Sequence, residues 1–368
     1  MLIIDSHLDL AWNALSWERD QTASVTLLRQ TESTVPGKGR ALNTVALPEM
    51  RRGRVFLSFA TLLSRNTGRT TPGIDYASLA QCHGMARGQL AYYRHLEAHG
   101  ELRVIVDRAG LDAHVAAWQA WDKRHAKSAD SVSGQPPLGV VISMEGADPI
   151  SDPGELAEWH ALGLRLIGPA HYGNNRYAGG TGTERPLTAG IGPALLKEMR
   201  RLNIAMDCTH LSDTAFWQAV KQFDGPLLAS HQNCRSLVPM QRQFTDAQIK
   251  VILERDGVLG ASFDISMVRP GWLFASWNNL TYEKPVMMRE IVDHIDHICQ
   301  LAGSSRHCAL GTDLDGGFGR EQSPFDLDTI ADLQKMAGLL AGRGYSPADI
   351  EGILHGNWLR FLRALWPA

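Results

Sequence analysis

MLIIDSHLDL, residues 1–10, carries four apolar residues, Met1 to Ile4, straight into Asp5, Ser6, His7, Leu8 and Asp9. A short apolar run of this kind reads as a strand buried on both faces. It ends in an imidazole flanked by acids, which packing alone does not ask for. Similar runs recur at 2–5, 55–63, 138–144, 164–170, 203–209, 226–230, 258–264 and 307–313, each closed by polar or glycine-rich residues. Helical patterns fill 75–99, 109–127, 154–162, 190–201, 212–223, 245–255 and 284–302, and the tail adds 326–341 and 346–366. Ser212, Thr245 and Ser346 stand where N-caps belong, the last followed by Pro347. Eight strands alternating with helices predict an α/β chain: a (β/α)8 TIM-type barrel with additional C-terminal helices, one domain over 1–368. A doubly wound open sheet has the same alternation. The GxGxxG and GxxxxGK[ST] fingerprints of nucleotide-binding open sheets are missing, which favours the barrel.

In a barrel, chemistry sits at the carboxyl ends of the strands. Those ends carry His7 and Asp9, Glu145 in SMEGAD, His171 in GPAHYGNN, His210 in DCTHLSD, His231 in ASHQNCR, and Asp313 with Asp315 in GTDLDGG. Any one has an ordinary structural reading: a hydrogen-bonded histidine after a strand, an N-cap at Asp9, a turn at Asp313 or Asp315. Six of the eight ends bearing such groups is a joint pattern, and it points to a metal site. In a strand, positions i and i+2 face the same side, so His7 and Asp9 can converge on one cation. Imidazole and carboxylate together suit zinc, and also manganese, cobalt or iron. The donors exceed the needs of one tetrahedral ion. A carboxylate such as Glu145 can bridge two, and two metals sharing a water make a nucleophile, which implies a hydrolase.

The bulk numbers are ordinary. Apolar residues are 44% and charged residues 20% of the 368, with a net charge of −3. No clustered Lys/Arg stripe offers a nucleic-acid surface, and RRGR at 51–54 reads as a solvated turn. No run reaches the roughly 18 apolar residues of a spanning helix, and the four-residue apolar start is too short for a signal peptide, so a cytoplasmic location is expected. Cys82, Cys208, Cys234, Cys299 and Cys308 are scattered without CxxC spacing and read as reduced thiols.

The strand-end motifs resemble, in order, those of the membrane (renal) dipeptidases, a branch of the amidohydrolase superfamily. DSHLDLAW is similar to its opening motif, SMEGAD to its glutamate motif, LRLIGPAHYGNN and DCTHLSD to its two histidine stretches. ASHQNCRSL with QRQFTD, GTDLDGG and HGNWLRFLR complete seven blocks between residue 5 and about 362. The resemblance implies two zinc ions per chain, bridged by Glu145 and a hydroxide, with His7 and Asp9 on one and His210 and His231 on the other. It implies that His171 binds and polarises the scissile carbonyl, that Arg242 holds the substrate carboxylate, and that Asp313, rather than Asp315, passes the proton of the water to the departing amine. The implied substrate is a dipeptide with a free C-terminal carboxylate, L-Xaa-D-Xaa included. Leu8 departs from the family's asparagine and should point away from the metals. No membrane anchor and no disulfide-linked dimer carry over, although a homodimer is expected from the family. The superfamily's carboxylated lysine has no candidate here, and Glu145 takes its place. Tyr172, Asn174 and Asn175, on the loop after His171, are candidates for the substrate pocket, and Trp12 for its wall. The aromatic segment 265–284 reads as a lid or a dimer contact. The rivals are another amidohydrolase reaction, on a lactam or N-acyl amino acid, and a ligand-binding pseudo-enzyme.

Overall fold

A computed structural model describes residues 1–69, 71–125, 133–272 and 284–366. Among these residues nine strands form: β1 Ile3–Leu8, β2 Val55–Leu63, β3 Leu102–Val104, β4 Leu138–Glu145, β5 Leu164–Gly168, β6 Ala205–Asp207, β7 Leu227–Leu228, β8 Leu259–Ala261 and β9 Cys308–Leu310. Every pairing between them is parallel. The order runs β7-β6-β5-β4-β2-β1-β9-β8. A further parallel bridge, Ala229 with Leu259, joins the two ends: the Ala229 amide donates to Val258 O at 3.0 Å and the Gly260 amide to Ala229 O at 2.8 Å. Eight strands therefore close into the expected barrel.

The ninth, β3, was not among the predicted strands. It pairs with the first residues of β4 (Leu102 with Leu138, Val104 with Val140), while β5 pairs with β4 from Ile142 onward. It fills the ladder that β5 is too short to reach. Three residues, one of them the exposed Arg103, carry too little pattern to announce a strand. Three helices before β2, Leu10–Ser16, Val25–Thr31 and Leu47–Arg52, were also not predicted. Each has at most seven residues, two turns, in which a 3.6-residue period barely repeats.

The longer helices follow the sequence closely. Ser212, Thr245 and Ser346 accept hydrogen bonds from the amides of Ala215, Gln248 and Asp349, as N-caps do. The strands β1, β2, β4 and β5 are buried along their whole lengths, because helices cover one face and barrel-interior side chains the other. Each buried Ile, Leu or Phe there contributes about 1.5–3 kcal/mol relative to exposure. The final helix, Asn357–Leu365, docks by its first residues. Asn357 Nδ2 donates to Ser305 O and Cys308 O, both at 2.7 Å, and the Trp358 indole donates to Leu310 O at 3.0 Å. His355, just before it, packs on Phe56 near the start of β2.

Inside the barrel, a layer of small residues lets β1, β7, β8 and β9 approach closely. Ser6 Oγ donates to Ser230 O at 2.5 Å and lies 3.0 Å from Leu310 O. A Cβ on Gly311 would sit 1.8 Å from Ser230 O, and one on Gly260 2.1 Å from it. Gly311→Ala is expected to cost about 2–4 kcal/mol, because backbone rather than a flexible side chain stands in the way. Gly338→Ala, at an exposed helical position with nothing within 4 Å, is expected to gain about 0.5–1 kcal/mol. Urea midpoints measure both; equal midpoints for the two variants would contradict the tight seam.

Candidate metal centre

Glu145, the last residue of β4, is the middle of the site. Its Oε1 lies 3.2 Å from His210 Nε2, 3.4 Å from His231 Nε2, 3.5 Å from His7 Nε2 and 3.6 Å from His171 Nε2. Four imidazoles from four strand ends thus converge on one carboxylate oxygen. His7 Nε2 also stands 3.9 Å from Asp9 Oδ2 and 3.9 Å from Asp313 Oδ1. Asp9 lies one residue past β1, at the start of the next helix, so the convergence with His7 comes from the strand-to-helix turn rather than from strand alternation. The Thr61 hydroxyl on β2 donates to Asp9 Oδ1 and holds that carboxylate.

Local backbone aims several of these groups. His210 and Asp313 adopt left-handed conformations, φ 68° and 61°. For non-glycine residues this costs of order 1–3 kcal/mol each, a strain that gathers at functional sites. Asp315 is also left-handed (φ 62°), but its carboxylate is spent on structure. It accepts from Thr44 N at 2.7 Å, Thr44 Oγ1 at 2.8 Å and Val45 N at 3.1 Å, and Arg19 lies 3.4 Å away. That separates the two acids of GTDLDGG: Asp313 faces the site and Asp315 ties down the loop at 43–45.

The electrostatics call for cations. Among the described residues, Asp9, Glu145 and Asp313 form ion pairs with histidine alone, never with Lys or Arg. Burial raises the Asp9 carboxyl to about 6, helped by the Glu145 charge. Burial, with Glu145, Asp9 and Asp264 nearby, pushes Asp313 well above the usual carboxylate range. Burial opposes the charge of Glu145 too, but His171, His7 and His210 outweigh it and hold its carboxyl well below the usual range. Burial and the Arg242 charge push His210 well down; burial, His7 and Arg242 do the same to His231. Both rings are neutral, with lone pairs to offer. Burial would lower His7 as well, yet Glu145, Asp9 and Asp313 raise it to about 10. Three acids around that ring draw in positive charge, and a divalent cation can replace its proton. His7 Nε2 is buried without a hydrogen-bond partner, the signature of a ligand atom waiting for an ion. Three groups of donors, His7/His231/Asp313, Glu145/His171/His210 and His7/Asp9/Glu145, have the spacing to hold a metal. The donor set fits one.

The centre opens into a cavity of ≈ 600 Å³. Asp9, Glu145, His171, His210, Asp313, Arg242, Tyr172 and Trp12 line it. Arg242 is buried, with Nη1 donating to Gln232 Oε1 at 2.8 Å and Nη2 to His231 O at 3.0 Å. Among the described residues its other N–H groups have no hydrogen-bond partner. Asn174 is exposed and does not line the cavity, which corrects its placement in the substrate pocket. Asn175 supports the loop instead, accepting from the His171 amide at 3.1 Å and donating to Gly173 O at 3.1 Å. Of the segment 265–284, residues 273–283 lie outside the described part.

The sequence reading left two strand ends without chemistry, those of β2 and β8. They supply Arg65 and Asp264, and both line the cavity. The rule that found the other six would have found Asp264, a carboxylate, but not Arg65, which is no metal ligand. Lys38 and Arg69 also line it, from loops that no strand pattern marks.

Among the described residues no helix is long and apolar enough to cross a membrane. Residues 1–366 match the model of the membrane dipeptidase family, peptidase family M19. An uncharacterized protein in the pqqA 5′ region of Klebsiella pneumoniae is 31% identical over 237 residues, 62% of this chain and 83% of that protein. The dipeptidase aclJ of Aspergillus oryzae is 27% identical over 229 residues, 61% of this chain and 51% of that one, so the chain spans about half the length of this relative. Two solved structures share the fold. Dipeptidase AC, a metallopeptidase of family M19, has a TM-score of 0.77 at 22% identity, covering 100% of this chain and 99% of that one. A metallopeptidase from Rhodobacter sphaeroides, liganded with a phosphinate mimic of the dipeptide L-Ala-D-Ala, has a TM-score of 0.75 at 22% identity, with the same coverage of both chains. With the strand-end motifs in place around Glu145, the chain belongs to the membrane dipeptidase family of metallopeptidases, M19.

Proposed function

We propose that the chain hydrolyses dipeptides with a free C-terminal carboxylate, L-Xaa-D-Xaa among them, using two zinc ions. The observation that carries this reading is Glu145: one carboxylate oxygen within 3.6 Å of four imidazole nitrogens, in a cavity that also holds a buried arginine fork. His7 and Asp9 would hold one ion, His210 and His231 the other, and Glu145 would join both. When bound, the pair supplies a water of lowered pKa as nucleophile and takes up charge from the carbonyl.

The rest falls to the chain's own groups. Arg242 receives the substrate's C-terminal carboxylate through its free N–H groups, a bidentate match. This anchor places the scissile bond at a fixed reach from Glu145 and limits the substrate to short peptides. His171 stands on the cavity wall and donates a hydrogen bond to the carbonyl oxygen as negative charge develops. Asp313, whose carboxyl is raised by burial and neighbouring acids, accepts the proton of the attacking water and returns it to the leaving amine. The dipeptide mimic bound by the Rhodobacter relative supports the L,D class.

The direct test is metal per chain together with turnover of L-Ala-L-Ala, L-Ala-D-Ala and their C-terminal amides. Two zinc equivalents, with hydrolysis confined to the free acids, is the expected result. Metal without peptide cleavage would move the activity to another amidohydrolase reaction. Asp313→Asn should keep its metal and lose kcat by about 100-fold or more. Arg242→Met should raise KM for the free acids and narrow their advantage over the amides. A chelator should lower the melting temperature and zinc restore it, the stabilisation reaching about 4 kcal/mol when free metal is a thousand times Kd. An unchanged melting curve would contradict the metal centre.

A further inference from the structure

The four imidazoles around Glu145 differ in what stands behind them. A neutral histidine gives one nitrogen to a metal only when its proton sits on the other, and that N–H needs an acceptor. His210 Nδ1 has Thr181 Oγ1 at 2.9 Å. The same hydroxyl donates to His210 O at 3.3 Å, which leaves its lone pairs for the ring. His231 Nδ1 has Ser230 Oγ at 2.9 Å, and His7 Nδ1 has the same oxygen at 3.4 Å. A hydroxyl can accept from both rings. These three histidines have the surroundings of ligands.

His171 does not. Its Nδ1 lies 2.7 Å from Arg65 Nη1. A guanidinium has five donors and no acceptor. The Nδ1 atom must therefore be the acceptor, and the ring proton is on Nε2, the nitrogen that faces Glu145. We infer that Arg65 is a positioning residue, which fixes His171 as a neutral Nε2–H donor into the site and keeps it from becoming a further metal ligand. In spacing alone His171 qualifies as a ligand, since it groups with Glu145 and His210. Arg65 is what distinguishes it.

Arg65 is itself held. Its Nη2 donates to Asp75 Oδ2 at 2.6 Å, and Asp75 Oδ1 accepts from Thr67 Oγ1 at 2.7 Å. The Arg65 amide donates to Ile74 O at 2.8 Å and its carbonyl accepts from the Tyr76 amide at 2.7 Å. The residue is buried, so the fork cannot swing away into solvent. The chain Thr67–Asp75–Arg65–His171 thus aims the His171 Nε2–H toward Glu145. The benefit to catalysis rests on the placement of His171 opposite the scissile carbonyl; the tautomer does not.

The test is a two-bond nitrogen–proton correlation spectrum of protein labelled with ¹⁵N-histidine and loaded with zinc, without substrate. His171 is assigned by its loss in His171→Asn. The wild-type ring should show the Nε2–H form. Arg65→Lys, still a pure donor, should keep that form and most of the turnover. Arg65→Met should shift the ring toward Nδ1–H, with kcat down by about 100-fold, the size of one lost preorganised donor, and KM changed far less. An Nδ1–H ring in the wild type overturns the inference, whatever becomes of the variants. So does an Nε2–H ring retained in a folded Arg65→Met. An Nε2–H wild-type ring that disappears in Arg65→Met, in a protein that cleaves no dipeptide, upholds the role of Arg65 and refutes the proposed activity.

Discussion

A carboxylate buried at the end of a barrel strand must be neutralised, by protons, by basic side chains or by bound cations. Glu145 has no lysine or arginine among its ion-pair partners in the described residues. It has four imidazoles, three of them driven neutral by burial and by neighbouring charges, Arg242 among them. Protons on His7 and Asp313 balance charge at the site, and a bound cation can take their place. The rest of the structure depends on meeting that demand. Eight strands are closed so that their ends meet, and a layer of glycine and serine beneath the site allows β7, β8 and β9 to crowd against β1.

The same demand explains where strain is accepted. His210 and Asp313 hold left-handed backbone, and both present their side chains to the centre. Hydroxyls of Thr61, Thr181 and Ser230 hold Asp9, His210 and His231 from behind. Such outer partners fix ring orientation and carboxylate angle before an ion arrives. The arginines serve two purposes that their shared charge conceals. Arg242 lines the cavity with N–H groups that have no partner among the described residues, whereas Arg65 bonds Asp75 and His171.

Much of this was legible in the sequence, because the signal is coarse and repeated. Apolar runs closed by His, Asp or Glu mark both the strands and their active ends, and the N-caps at Ser212, Thr245 and Ser346 need only local hydrogen bonds. What escaped was short or depended on neighbours distant in sequence. The strand β3 is three residues long and exists because β4 offers it an empty ladder. Asp313 and Asp315 look alike in GTDLDGG; the resemblance favours Asp313, but only the fold gives the physical reason, that Thr44 and Val45, some 270 positions earlier, occupy Asp315. Asn174 and Asn175 look alike too, and a single turn of the loop sends one to solvent and one under His171. Asp264 was readable by the strand-end rule, whereas Arg65 was not, because that rule seeks metal-ligating groups and an arginine is not one.

The most direct test of the central claim is anomalous diffraction at the zinc edge from crystals of the metal-loaded protein. The account predicts two peaks, both within ligand distance of Glu145, one beside His7 and Asp9 and one beside His210 and His231, with His171 bound to neither. A single peak, or a peak ligated by His171, would contradict it.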